Sequence, residues 1–248
     1  VRANRVSQFK YPLVYFFILF YFWSSYRPFE KMHSLVIFFL SIVPGLFILF
    51  YFYQQDKYQK EPKGAILRLF LLSALITIPL AVLFGSIFEI FASVGGVFGI
   101  LISAFLSAAL VEEVLKYFMV KCFVFQKPYF YEVFDGIVYA VTASLGFATL
   151  ENIMYVMLDE NPYSVGILRA LTAVPSHAFD GALLGYFLGL AKFSTSPIEQ
   201  KRFIKKGLTY AILFHGFYDF FLFSGVLFFL VIPLLLFQFF MVRRALWQ

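Results

Sequence analysis

Along this chain the polar residues are confined to short intervals between long apolar runs. The runs fall at about 11–25, 35–53, 65–88, 94–124, 133–157, 165–190, 207–223 and 226–242. Each is continuously apolar rather than alternating with period two, which excludes an outer-membrane barrel. Most approach the roughly 20 residues that a helix needs to cross a hydrocarbon core about 30 Å thick. The pattern predicts an all-α polytopic membrane protein, a bundle of about eight transmembrane helices. The last two runs are the hardest to separate, but a single helix over 207–242 would far exceed the core. The expected break is a turn at Ser224 and Gly225, with a kink at Pro233 as the fallback. Residues 1–33 are expected to form an additional N-terminal transmembrane helix, and 34–248 the core.

Composition agrees with this pattern. The chain is 62% hydrophobic and 14% charged, against about 45–50% and 25% in soluble domains. The single cysteine, Cys122, excludes an intrachain disulfide, and no Cys/His zinc-finger spacing is present. No small-residue cleavage site follows the first apolar run, so that run is expected to stay as a helix. Basic residues gather at Arg2, Arg5 and Lys10, in 57–68, at Lys121 and Lys127, in 192–206, and at Arg243 and Arg244. They alternate with segments poor in them, and the positive-inside rule then puts both termini in the cytoplasm. Arg27 and Lys31 dissent. The formal charge of +6 is this topology bias, and no nucleic-acid partner is expected.

Against that background the stretch SAALVEEVLKYF is unusual, because it sets Glu112, Glu113 and Lys116 inside a span. An ionisable residue at mid-bilayer costs on the order of 2.5–3.5 kcal/mol on insertion scales, so such residues face a bundle interior or a wet cavity. Lys116 is i+4 from Glu112 and i+3 from Glu113 and can neutralise one of them. Adjacent helix positions differ by about 100°, so the other carboxylate is expected to point elsewhere. The run GFATLENIMY puts Phe147, Glu151 and Tyr155 on one face with Asn152 beside it. The run PSHAFDGALLGYFLG aligns His177 with Gly181, Gly185 and Gly189, and LFHGFYDFF pairs His215 with Asp219 at i, i+4. Four consecutive spans thus each carry a carboxylate or an imidazole. The glycine stripe reads as helix packing rather than chemistry, since small residues every fourth position let membrane helices approach closely. A lone buried histidine can be a mere hydrogen-bonding group. Two of them with three glutamates, one with Asp219 to fix its tautomer, point to function instead. Asp135 and Asp180 are expected to cap or line cytoplasmic helix ends.

No Gly-x-Ser-x-Gly turn or suitably placed cysteine offers a covalent nucleophile, and no His-Glu-x-x-His signature marks a zincin. What remains is activation of a water by a glutamate, with imidazoles holding a metal or a developing oxyanion. Hydrolysis of a peptide bond within the membrane fits this set. Two other classes use the same residues: a proton- or ion-coupled transporter, and a catalytically silent scaffold that binds transmembrane helices through the glycine face. The chain lacks the internal repeat that many transporters show.

These motifs, taken in order, resemble the PrsW family of intramembrane proteases, within the wider group of CAAX prenyl endopeptidases, bacteriocin-processing proteins and the Aph subunit of γ-secretase. The resemblance runs from Pro44, Gly45, Asp56, Tyr58, Glu61 and Pro62 through Glu112-Glu113-x-x-Lys116, Phe147-x-x-x-Glu151-Asn152 and His177 to His215-x-x-x-Asp219. It implies a site of Glu112, Glu113, His177 and His215, supported by Lys116, Glu151, Asn152 and Asp219. One of the two adjacent glutamates is the expected general base, with Glu112 favoured by analogy with the wider group. Either a zinc ion on His177, His215 and Glu151 or a metal-free glutamate mechanism is open at this point. The implied partners are the bilayer of a bacterial cytoplasmic membrane and a single-span membrane protein substrate such as an anti-sigma factor. The chain departs from the wider group in carrying Glu151 where the others have a histidine, and His177 is expected to supply that imidazole.

Overall fold

The computed structural model describes residues 31–56 and 59–246. Among them the chain forms seven long helices and one short one, with no strand: α1 (Lys31–Gln55), α2 (Lys63–Ala92), α3 (Gly96–Phe123), α4 (Val133–Leu158), α5 (Pro162–Leu171), α6 (Ala173–Lys192), α7 (Pro197–Ser224) and α8 (Val231–Leu246). Helices α1 to α4 and the segment Phe228–Leu246 are long and apolar enough to cross a membrane. The spans expected from 35 onwards each have a helix. The one expected at 11–25 lies outside the described residues. Two turns depend on glycine, which alone adopts a left-handed backbone without strain. Gly95 and Gly96 (φ 72° and 59°) join α2 to α3, and Gly225 (φ 66°) ends α7. The break between the last two spans therefore falls where the sequence puts it, and Pro233 sits in the first turn of α8, where its missing N–H does no harm.

The sixth span differs from its expected form. Residues 165–190 are not one helix: α5 ends at Leu171, Thr172 leaves helical geometry (φ −127°, ψ −63°), and α6 starts at Ala173. Pro175 is the physical reason, because it has no N–H for the Leu171 carbonyl and its ring crowds that carbonyl. The Thr172 hydroxyl bridges the break, donating to the Leu168 carbonyl (2.8 Å) and lying 2.9 Å from the Tyr218 hydroxyl on α7.

Helix α4 is the centre of the bundle. Its apolar window is 83% buried, while those of the other four spanning helices are 22–33% buried and face outwards. Helix α6 lies against it along the glycine stripe. A Cβ on Gly181 would meet Ser144 Cβ at 2.9 Å, and on Gly185 it would meet Ile137 Cα at 2.6 Å; one on Gly189 would meet Val133 Cα at 2.8 Å. The stripe is thus packing, as expected, and it brings two backbones together at a spacing that no other residue allows. Across the same seam Ser144 donates to the His177 carbonyl at 2.7 Å.

Helices α2 and α3 are each interrupted by wide i→i+5 turns, at Ser73–Thr77 and Ile102–Leu110. Ser73 uses its turn to reach α4, donating to the Ala143 carbonyl at 2.6 Å. The second segment ends at Leu110, two residues before Glu112. Wide turns change the angular phase of a helix and recur at functional sites. Beyond this one, Glu112, Glu113 and Lys116 all turn into the bundle, 9%, 0% and 1% exposed.

Candidate active site

Four helices converge on one buried cluster. Glu112, Glu113 and Lys116 come from α3, Glu151 and Asn152 from α4, His177 from α6, and His215 and Asp219 from α7. At the centre lies the Lys116 ammonium. It is 2.7 Å from Glu113 Oε1, 3.3 Å from Glu112 Oε2 and 3.2 Å from His177 Nδ1, and it sits over the Phe147 ring at 4.4 Å. One lysine therefore reaches both carboxylates. Adjacent helix positions diverge at the backbone, but the four-carbon stem places Nζ between the two side chains.

The two histidines stand at 88° to one another with ring centres 5.1 Å apart. His177 has its tautomer set by its partners. Nδ1 faces the Lys116 ammonium and accepts, while Nε2 lies 3.1 Å from Glu151 Oε2 and donates. Glu151 is itself gripped by Arg169, whose Nη2 lies 2.6 Å from Oε2. The same guanidinium bonds Asn152 Oδ1 through Nε at 2.9 Å and covers the Tyr155 ring at 4.0 Å. Asn152 is tied in turn to the Ser41 carbonyl of α1 at 2.9 Å. His215 lies between carboxylates: Nδ1 donates to Glu113 Oε1 at 2.8 Å, and Nε2 is 3.3 Å from Asp219 Oδ2 and 3.8 Å from Glu112 Oε2.

The structure thus gathers Glu112, Glu113, His177 and His215 into one group, with ligand atoms all within 4.8 Å of one another. By donor type and spacing this is a set of the kind that holds a metal ion. Glu151, expected as a third ligand with the two histidines, instead takes the far nitrogen of His177 and the Arg169 guanidinium. A divalent ion sits about 2.0–2.2 Å from carboxylate and imidazole donors, and three of the four donors already surround Nζ at 2.7–3.3 Å. An ion bound by all four residues would therefore have to take the place of the ammonium.

Arg169 escaped the sequence reading. In sequence it reads as the lone basic residue of the polar loop LDENPYSVGILR, although it also falls inside an apolar run, where an arginine needs a buried partner. Gln238 was missed as well: its amide donates to Asp180 Oδ1 at 2.7 Å, and both side chains are fully buried. Asp180 thus joins α6 to α8 rather than lining a helix end. Asp135 does cap, accepting the N–H groups of Tyr131 (2.5 Å) and Glu132 (3.2 Å) at the start of α4. Beside it, in the loop before α2, Glu61 is buried and no other residue hydrogen-bonds either carboxylate oxygen, which leaves only its own backbone N–H. Burial first, and then the nearby Asp135, Asp56 and Glu132 charges, push its carboxyl from 4.5 up to about 8, against one opposing backbone hydrogen bond.

A helical membrane bundle with carboxylates and imidazoles collected inside it is an architecture that an intramembrane protease can use, and similarity to known proteins selects that class. The chain belongs to the PrsW family: the family model described as "PrsW family intramembrane metalloprotease" matches residues 61–243. Proteins named "Protease PrsW" are similar over most of their length. That of Geobacillus kaustophilus (strain HTA426) is 39% identical over 179 residues, 72% of this chain and 76% of the relative. That of Bacillus subtilis (strain 168) is 39% identical over 182 residues, 73% and 80% of the two chains. The one from Clostridioides difficile (strain 630) is 30% identical over 191 residues, 76% and 80%. No solved structure matches the chain. The protein is a protease of this family and an integral membrane protein.

Proposed function

We propose that this protease cuts a peptide bond in or beside the transmembrane segment of a single-span membrane protein, a membrane-anchored anti-sigma factor being the type of substrate, by water activated at Glu112. The observation that carries the assignment is the unequal engagement of the two glutamates. Glu113 is fully buried and accepts two short charge-assisted bonds, from Lys116 at 2.7 Å and His215 at 2.8 Å. Glu112 has longer contacts, 3.3 and 3.8 Å, and keeps 11% of its side chain exposed. A general base needs a free lone pair and an open side towards substrate. Glu112 meets both conditions, whereas Glu113, although its Oε2 accepts no hydrogen bond, is fully buried and has no open side.

In this mechanism a water bound at Glu112 loses a proton to the carboxylate as its oxygen attacks the scissile carbonyl. His215 Nε2, which lies 3.3 Å from Asp219, turns to the developing oxyanion, while Glu113 fixes the ring through Nδ1. Glu112 then returns the proton to the leaving nitrogen. Glu113 and Lys116 hold the frame, and the chain Arg169, Glu151, His177 aims His177 Nδ1 at Lys116. Both termini face the cytoplasm of the bacterial membrane in this reading, which the alternation of basic and neutral segments along the sequence supports. The test is reconstitution of the protein with a single-span substrate and mass spectrometry of the products. A discrete cut in or within a few residues of the span is expected. Intact substrate, or cuts only in a distant soluble domain, would overturn the reading.

A further inference from the structure

We propose that Lys116 is a tethered competitor for the metal position: its ammonium and a divalent ion exclude one another, so the cluster takes up a metal only in exchange for the lysine. The inference rests on the geometry of the cluster and not on which bond the protease cuts. Three observations support it. First, Nζ touches three of the four residues whose donors form the metal-type group, Glu112, Glu113 and His177. Second, the ammonium has donors for three partners, and three acceptors surround it, so the site is satisfied as it stands. Third, the stem is held in place: Lys116 is 1% exposed and Nζ lies over the Phe147 ring at 4.4 Å, a contact that favours a cation at that spot.

Charge balance points the same way. Glu112 and Glu113 bring two negative charges into a buried site, and Lys116 returns one positive charge at contact distance. A divalent ion added beside the ammonium would face it across donors it must share, and two cations so close in a buried site repel strongly. Removing the ammonium frees all three donors and leaves a net charge that a divalent ion neutralises. Close charge pairs in buried settings couple by about 1.5 kcal/mol or more, so the parent should bind the ion at least about tenfold more weakly than a protein lacking the lysine.

The experiment is metal uptake by the full-length protein in detergent, which needs no cleavage assay and so stands or falls separately from the proposed reaction. Parent, Lys116→Met and Lys116→Gln are titrated with Co²⁺, read by its ligand-field absorption, and with Zn²⁺, read by elemental analysis after desalting. The lysine variants should take up one equivalent at least about tenfold more tightly than the parent, and adding His177→Ala to Lys116→Met should abolish the uptake. Equal affinity in parent and variants overturns the proposal, as do folded variants that take up no metal. If neither variant folds alone, Zn²⁺ supplied during expression should restore folded protein, since the ion replaces the missing cation. Failure of that rescue also overturns it.

Discussion

Arg169 offers a test of the supporting chain, because its loss should be felt in a way that depends on Glu151. The pair is 2.6 Å long, and the two side chains are only 14% and 17% exposed. Breaking a buried pair by removing one partner costs about 3–5 kcal/mol, mostly through the charge left behind. Here the residual exposure, and the His177 bond that Glu151 keeps, argue for the lower end, about 3 kcal/mol for Arg169→Gln. Glu151→Gln alone should cost a similar amount, since it strands the guanidinium between Asn152 and Tyr155. The double substitution removes both charges, so its cost should be close to either single cost rather than their sum, a coupling of about 2–3 kcal/mol. The assay is unfolding by SDS titration in mixed micelles, run on all four proteins. The two single variants should also cleave more slowly, because His177 loses its carboxylate in Glu151→Gln, and in Arg169→Gln that carboxylate loses the guanidinium that holds it in place. Costs that add to within about 0.5 kcal/mol would refute the coupling, and with it the claim that Arg169 acts through Glu151.

Glu113→Gln should lose several kcal/mol in the same unfolding assay, because two cations lose a shared partner, whereas Glu112→Gln should unfold nearly as the parent does, its contacts being long. Gly185→Leu should separate α4 from α6 and sharply lower folded yield, measured by gel filtration in detergent, because the added side chain meets the Ile137 backbone at 2.6 Å from its first atom. Gly64→Ala, with nothing within 4 Å, should stabilise by up to about 1 kcal/mol, read as a higher Tm. Glu61 gives a pH prediction. Its folded carboxyl is raised, so the folded state holds the proton more tightly, and this contribution is complete below 4.5 and lost as pH climbs towards about 8. Thermal unfolding at several pH values should show the parent weakening across that window and Glu61→Gln weakening less.

How much of this was legible in sequence depends on the scale of the feature. Apolar runs report helices directly, since a span must satisfy its own backbone bonds, and Ser224-Gly225 marked its turn because only glycine takes that backbone angle freely. The cluster was legible too, because Glu112, Glu113, Glu151, His177 and His215 are expensive in a bilayer unless they face one another. Three features were not. The break at Thr172 is signalled by Pro175, but an unbroken run of hydropathy hid it. Arg169 looked like a loop charge because its partner, Glu151, is 18 residues away on another helix. Lys116 was read from helix angles as neutralising one carboxylate, and those angles say nothing about where a flexible stem delivers its ammonium.

The central claim is that Glu112 is the general base of the hydrolysis. The most direct measurement is single-turnover cleavage of a reconstituted single-span substrate by the parent and by Glu112→Gln, compared after both match in unfolding and in substrate capture. General base catalysis contributes about 10²–10⁴-fold, so Glu112→Gln should bind substrate normally and cut it slower by that factor. A folded Glu112→Gln protein that cuts at the parental rate would contradict the account.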